Sequence, residues 1–175
     1  AFLNGVAMNT SLWKNQINTF KEDNQILLHD FRGQGQSSLQ PNNFTFAQHV
    51  EDFYSLLKDL NLGKIHIVGV SYGAEVAMHF ALKYPEKIHT LTLGTAVSEV
   101  KPLLKFQIES WIMAAKTYNG ELFYKVMSPY VYSNDFYEKN GKWIEKRAKK
   151  FGKNVTKDWL DAFVGLCNNF LTLDI

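Results

Sequence analysis

A chain of 175 residues, 46% hydrophobic and 21% charged, is long enough to bury a real core within one globular domain. A formal net charge of +2 gives no global reason to expect nucleic acid or an anionic membrane as partner. One cysteine, Cys167, excludes an intramolecular disulfide framework and fits a reducing, cytoplasmic compartment, and no apolar run approaches the ~20 residues of a membrane span.

Ala1-Phe2-Leu3-Asn4-Gly5 reads as the last residues of a strand already under way, with no signal-peptide pattern, and a loop follows to Asn9. Residues 10–20 suit a short helix with Leu12, Trp13, Ile17 and Phe20 on its apolar side. Residues 25–30 read as the next strand and the glycine-rich 31–38 as a loop. Thr45 and Gln48 match a capping box, and Phe46, Val50, Phe53, Leu57 and Leu60 then recur at the helical period. The β-branched run 65–70 predicts a buried strand that breaks at Gly69-Val70-Ser71-Tyr72-Gly73, and the Ala-rich helix 74–83 follows at once. Tyr84-Pro85 stops that helix, and 88–93 supplies another strand ending in Gly94-Thr95-Ala96.

Beyond Lys101 the pattern is helical. Leu104, Ile108, Trp111, Ile112 and Ala115 give one apolar face, and 121–127, 135–151 and 156–170 are further helices. Cys167 lies in an apolar segment and reads as a buried structural thiol. The lysines crowded into 139–157 read as a solvated helix face, with Glu138, Glu145 and Asp158 interspersed.

Strands alternating with crossover-length helices predict an α/β fold, a parallel sheet with helices on both faces, over residues 1–98, followed by a helical cap over 99–175. Reactive residues then belong at the carboxyl ends of the strands, where Asn4-Gly5, Asp30, Ser71 and Gly94 all fall. Strand, Gly-x-Ser-x-Gly and helix in that order form a nucleophile elbow, with Gly69 and Gly73 placed where a Cβ would collide. The elbow exposes the hydroxyl of Ser71 and aims the next helix N-terminus at any oxyanion formed there.

Four features in order resemble the α/β-hydrolase superfamily, in the cap-bearing branch of enol-lactonases, cofactor-free haloperoxidases and carbon–carbon bond hydrolases. Asn4-Gly5-Val6 is similar to its His-Gly-x segment, with Asn in place of the usual His altering the pocket wall. Asp30-Phe31-Arg32-Gly33-Gln34-Gly35-Gln36-Ser37 resembles its D-x-R-G-x-G-x-S loop, Gly69 to Gly73 its elbow, and Ala81 to Ile88 the stretch joining elbow helix to next strand. The resemblance implies Ser71 as nucleophile and the backbone N–H groups of Val6 and Tyr72 as oxyanion donors. It implies a small apolar carbonyl-containing substrate (an ester, lactone, thioester or activated carbon–carbon bond), and it leaves the oligomeric state open. Asp30 and Arg32 are expected to tie the loop to its neighbours.

No metal or organic cofactor is expected, because no cluster has metal-ligand spacing. Serine needs a base, and the family order puts the acid and then the histidine after the serine. No histidine follows His89. Glu99 is a possible alternative acid, and Glu75 reads as a helix-packing carboxylate. Two expectations stay open: these residues are a piece of a longer serine hydrolase, not expected to turn over substrate alone, or the fold serves as a non-catalytic small-ligand-binding protein.

Overall fold

The computed structural model describes residues 1–39 and 44–175. Its strands are β1 (Phe2–Leu3), β2 (Leu28–His29), β3 (Ile65–Val70) and β4 (Ile88–Gly94), all parallel and ordered β2-β1-β3-β4. The strand expected over 25–30 is observed over two residues, Leu28 and His29, paired with Phe2 and Leu3 of β1.

The helix expected over 10–20 divides. A 3₁₀ turn at Thr10–Trp13 precedes α1 (Lys14–Phe20), and only Trp13 is buried, while Leu12 and Phe20 face solvent. Trp13 is drawn inward by its ring contact with Phe2, 5.0 Å between centroids, and by its indole N–H, which donates to Asn4 Oδ1 at 2.7 Å. The tighter three-residue turn then swings Leu12 outward.

Thr45 caps α2 (Phe46–Asp59), its hydroxyl accepting from the Gln48 N–H at 3.1 Å. The return half of the box does not form: the Gln48 amide donates to Asp52 Oδ1 instead. Phe46, Val50, Phe53 and Leu57 are buried, whereas Leu60 lies past the last turn and is exposed. The elbow helix α3 (Tyr72–Lys83) starts directly after Ser71 and buries Tyr72, Ala74, Glu75, Val76, Ala77 and Phe80.

Beyond β4 come α4 (Pro102–Lys116), α5 (Gly120–Met127), α6 (Asn134–Asn154, bent at Asn140) and α7 (Lys157–Phe170), a helical content consistent with a cap. Phe123 of α5 is surrounded by the rings of Phe151, Trp159 and Phe163, each within 5.7 Å. Cys167 is fully buried, and burial pushes its thiol pKa up, which suits packing rather than chemistry. A single apolar cluster runs from Leu3 on β1 through Phe80 to Phe163 and Leu173. Among the described residues no helix is long and apolar enough to cross a membrane.

Candidate active site

Ser71 stands between β3 and α3 with φ +52° and ψ −127°, a backbone region that non-glycine residues rarely enter. Its neighbours hold it there. The Ser71 N–H donates to the Gly94 carbonyl at the tip of β4, 2.9 Å away, while its own carbonyl accepts from Ala74 at 2.6 Å and Glu75 at 3.2 Å. The turn is also as tight as its glycines allow. A Cβ on Gly69 would lie 2.6 Å from the Gly73 oxygen, and one on Gly73 would run into the carbonyls of Leu3 and Asn4. Strand and helix therefore touch backbone to backbone, and α3 packs directly on the end of β1.

That packing brings the loop after β1 to the serine. A Cβ built on Gly5 would come within 3.3 Å of Ser71 Cβ and 3.2 Å of the Val70 oxygen. Val6 follows, buried, and Ala7 turns the chain with φ +59°. The turn is fixed by Met8 N–H to Gly5 O at 3.2 Å and by the Gln34 amide donating to the same oxygen at 2.9 Å. Neither the Val6 nor the Tyr72 N–H is taken up by a turn or loop hydrogen bond among the described residues. The Tyr72 ring points into the core, where its hydroxyl meets the Asn169 amide of α7 at 2.6 Å and burial pushes its pKa far up. Its side chain thus anchors the backbone that carries the free N–H.

Glu75 lies one turn along α3 and is fully buried. One carboxylate oxygen accepts from the Val97 N–H at 3.0 Å, tying α3 to the segment after β4, and the other has no partner in the described structure. Burial raises its pKa to about 7.

The hydroxyl of Ser71 makes no hydrogen bond with a described residue, and the five histidines are committed elsewhere. His49 is enclosed by Phe31, Phe44 and Tyr72 with both ring nitrogens unpartnered, and burial drops its pKa to about 3. His29 packs edge-on against Phe31, and burial lowers its pKa as well. His79 stacks on Phe46. His66 bonds Thr90 Oγ1 at 2.8 Å and stacks on His89. Glu99 pairs with Lys101 at 3.1 Å on the surface while its backbone bridges to Asp174, so the structure does not join it to Ser71. Among the described residues no three His, Cys, Asp or Glu side chains are grouped to hold a metal.

Asn4 carries more than the sequence indicated. Its side chain does not line a pocket wall; it is fully buried, with Oδ1 accepting from Trp13 and Nδ2 donating to His29 O at 3.1 Å and Asp30 Oδ1 at 2.9 Å. Asp30 also receives the Thr10 N–H at 2.8 Å and the Gln36 N–H at 3.2 Å. Arg32 forks onto Asp52 of α2 through Nε at 2.6 Å and Nη2 at 2.8 Å. These residues weld the loops after β1 and β2 into one rim beside the elbow. No local pattern announces such a hub, because its partners lie up to 30 residues apart. Chemically, the elbow places the Ser71 hydroxyl at the positive end of α3, with the Gly5 backbone packed against it.

The profile of the alpha/beta hydrolase fold matches residues 2–131. Over 99 residues the chain is 25% identical to 3-oxoadipate enol-lactonase 1 of Acinetobacter baylyi, covering 57% of this chain and 37% of that protein. An alpha/beta hydrolase enzyme from a Medee basin deep-sea metagenome library superposes with a TM-score of 0.91 at 35% identity, covering 99% of this chain and 63% of that one. A thermophilic esterase from Thermogutta terrifontis shares the fold at a TM-score of 0.80 and 20% identity, covering 99% and 63% of the two chains. The chain thus spans less than two thirds of the length of each of these relatives.

Proposed function

The chain belongs to the α/β-hydrolase family, and on that premise we propose that it supplies the nucleophile and oxyanion site of a serine hydrolase acting on an ester, lactone, thioester or activated carbon–carbon bond. One observation carries the reading: Ser71 is held at φ +52° at the start of α3 with the Gly5 backbone packed against it, and we assign the N–H groups of Val6 and Tyr72, next in sequence to that contact, as the oxyanion donors. Ser71 Oγ attacks the carbonyl carbon and gives its proton to a base. The carbonyl electron pair moves onto oxygen, which the two N–H groups receive, and collapse expels the leaving group to give an acyl-serine that water hydrolyses. Each such donor is worth about 3 kcal/mol in a serine hydrolase.

We place the base outside the five histidines here, none of which hydrogen-bonds Ser71 and three of which (His29, His49 and His79) have pKa values lowered by burial. Base and acid are to be sought in the part of the fold that the longer relatives have and this chain does not span. Residues 99–175 are assigned as the cap over the substrate path, and an apolar acyl group is the substrate expected there.

The second reading is a ligand-binding protein that keeps the fold without turnover. A fluorophosphonate probe separates the two. The expected result is a mass increment on Ser71 of the full-length protein, abolished by Ser71→Ala with the fold intact. No labelling of Ser71 would leave the binding protein as the better account.

A further inference from the structure

Between residues 139 and 157 the sequence carries eight of its nineteen Lys and Arg against one acid, Glu145. The structure sorts them. Beyond the bend at Asn140, Ile144, Ala148, Phe151 and Val155 of α6 and the residue after it turn inward, while Lys142, Lys146, Lys149, Lys150 and Lys153 are all exposed. Ile144, Ala148, Phe151 and Val155 each lie two residues after one of these lysines, and two residues turn an α-helix through about 200°. The five ammonium groups therefore form one stripe, about 16 Å long, opposite the buried face.

Of the acids expected to be interspersed, one flanks the stripe and two lie off it. Glu145 sits about 40° round the helix from Lys149, one turn before it, Asp158 belongs to α7, and Glu138 accepts from the Asn134 side chain before the bend. The ion pairs of this helical region are Lys101–Glu99, Lys105–Glu109, Lys125–Glu121 and Lys157–Asp161, so among the described residues none of the five stripe lysines makes a close ion pair, though the charge of Lys149 reaches Glu121 of α5 and helps hold its carboxyl low. Like charges three and four residues apart repel, and the stripe contains that spacing throughout.

We propose that this face of α6 docks the protein onto an anionic phospholipid bilayer. A straight row of compact, flexible ammonium groups suits a flat plane of diffuse negative charge, whereas phosphate read group by group is served by the planar fork of arginine. The stripe contains no arginine; Arg147 is turned aside and sits over the Trp143 ring at 4.9 Å. Trp143 itself borders the stripe, 42% exposed, an amphipathic ring of the kind that settles at a lipid–water interface. A bilayer would bring the protein to where apolar substrates partition, but the docking does not depend on the hydrolytic reading.

Vesicle co-sedimentation tests the proposal on the intact protein. The protein should bind vesicles of phosphatidylserine mixed with phosphatidylcholine and not phosphatidylcholine alone, and should come off as salt shortens the screening length. Replacing Lys146, Lys149 and Lys153 together by Gln should weaken partition roughly a hundredfold, while the same replacement at the exposed Lys14, Lys21 and Lys64, with an equal change in net charge, should leave it within a few-fold. The pair Lys142→Gln and Lys150→Gln, followed with circular dichroism, guards against a folding defect in the triple variant and should weaken binding more than tenfold. Equal loss in the control set, equal binding to neutral vesicles, or stripping from vesicles by a duplex oligonucleotide at matched charge would each overturn it.

Discussion

At Glu75 a carboxylate is sealed under the elbow with one oxygen unanswered, and its pKa rises from 4.5 to about 7. The unfolded chain ionises near 4.5 and the folded one resists ionising until about 7, so this group's contribution is intact below 4.5 and is lost as pH rises to 7. The loss is on the order of 3 kcal/mol. Glu75→Gln keeps an oxygen for the Val97 N–H and removes the charge. Urea unfolding of the variant should show that much less decline between pH 4.5 and 7 than the parent; a parallel decline would place the titrating group elsewhere. Ser71 shows the opposite economy. Its strain is balanced by three backbone hydrogen bonds that the side chain does not share, so Ser71→Ala is expected to leave stability within about 0.5 kcal/mol.

The elements earn their positions through close backbone contact. Gly73 lets α3 rest on β1, which is what sets Gly5 beside the serine. Gly73→Ala would force the elbow off the Leu3 and Asn4 carbonyls. It should cost about 2–4 kcal/mol by thermal or urea unfolding and, on the proposed mechanism, abolish probe labelling even where the variant folds, because the Gly5 loop and Ser71 part together. Retained labelling at the parent rate would show that the β1–α3 contact does not set the site. The strand and helix around the elbow could be read locally, since β-branched runs, glycine punctuation and 3.6-residue periods act over a few residues. The divided first helix could not, because the Asn4–Trp13 hydrogen bond fixed it from outside.

Over the whole molecule, two buried groups oppose one another. His49 is held neutral among aromatic rings with its pKa lowered from 6.5 to about 3, so its contribution is whole above 6.5 and is lost as pH falls towards 3. Glu75 acts in the other sense, and between 4.5 and 6.5 the two slopes offset. His49→Phe should flatten the acid limb of the stability profile and cost nothing at neutral pH, since it also removes two unpartnered ring nitrogens. An unchanged acid midpoint would assign that limb to other groups. The sequence alone determined the α/β class, the elbow at Ser71 and the run of helices beyond β4, because each rests on short-range periodicity and steric rules. Only the tertiary structure decided what Asn4, Glu75 and His49 touch and which side of α6 its lysines occupy. Those outcomes depend on burial and on partners from distant parts of the chain, and on a helix phase set by what packs beneath it, none of which local spacing encodes.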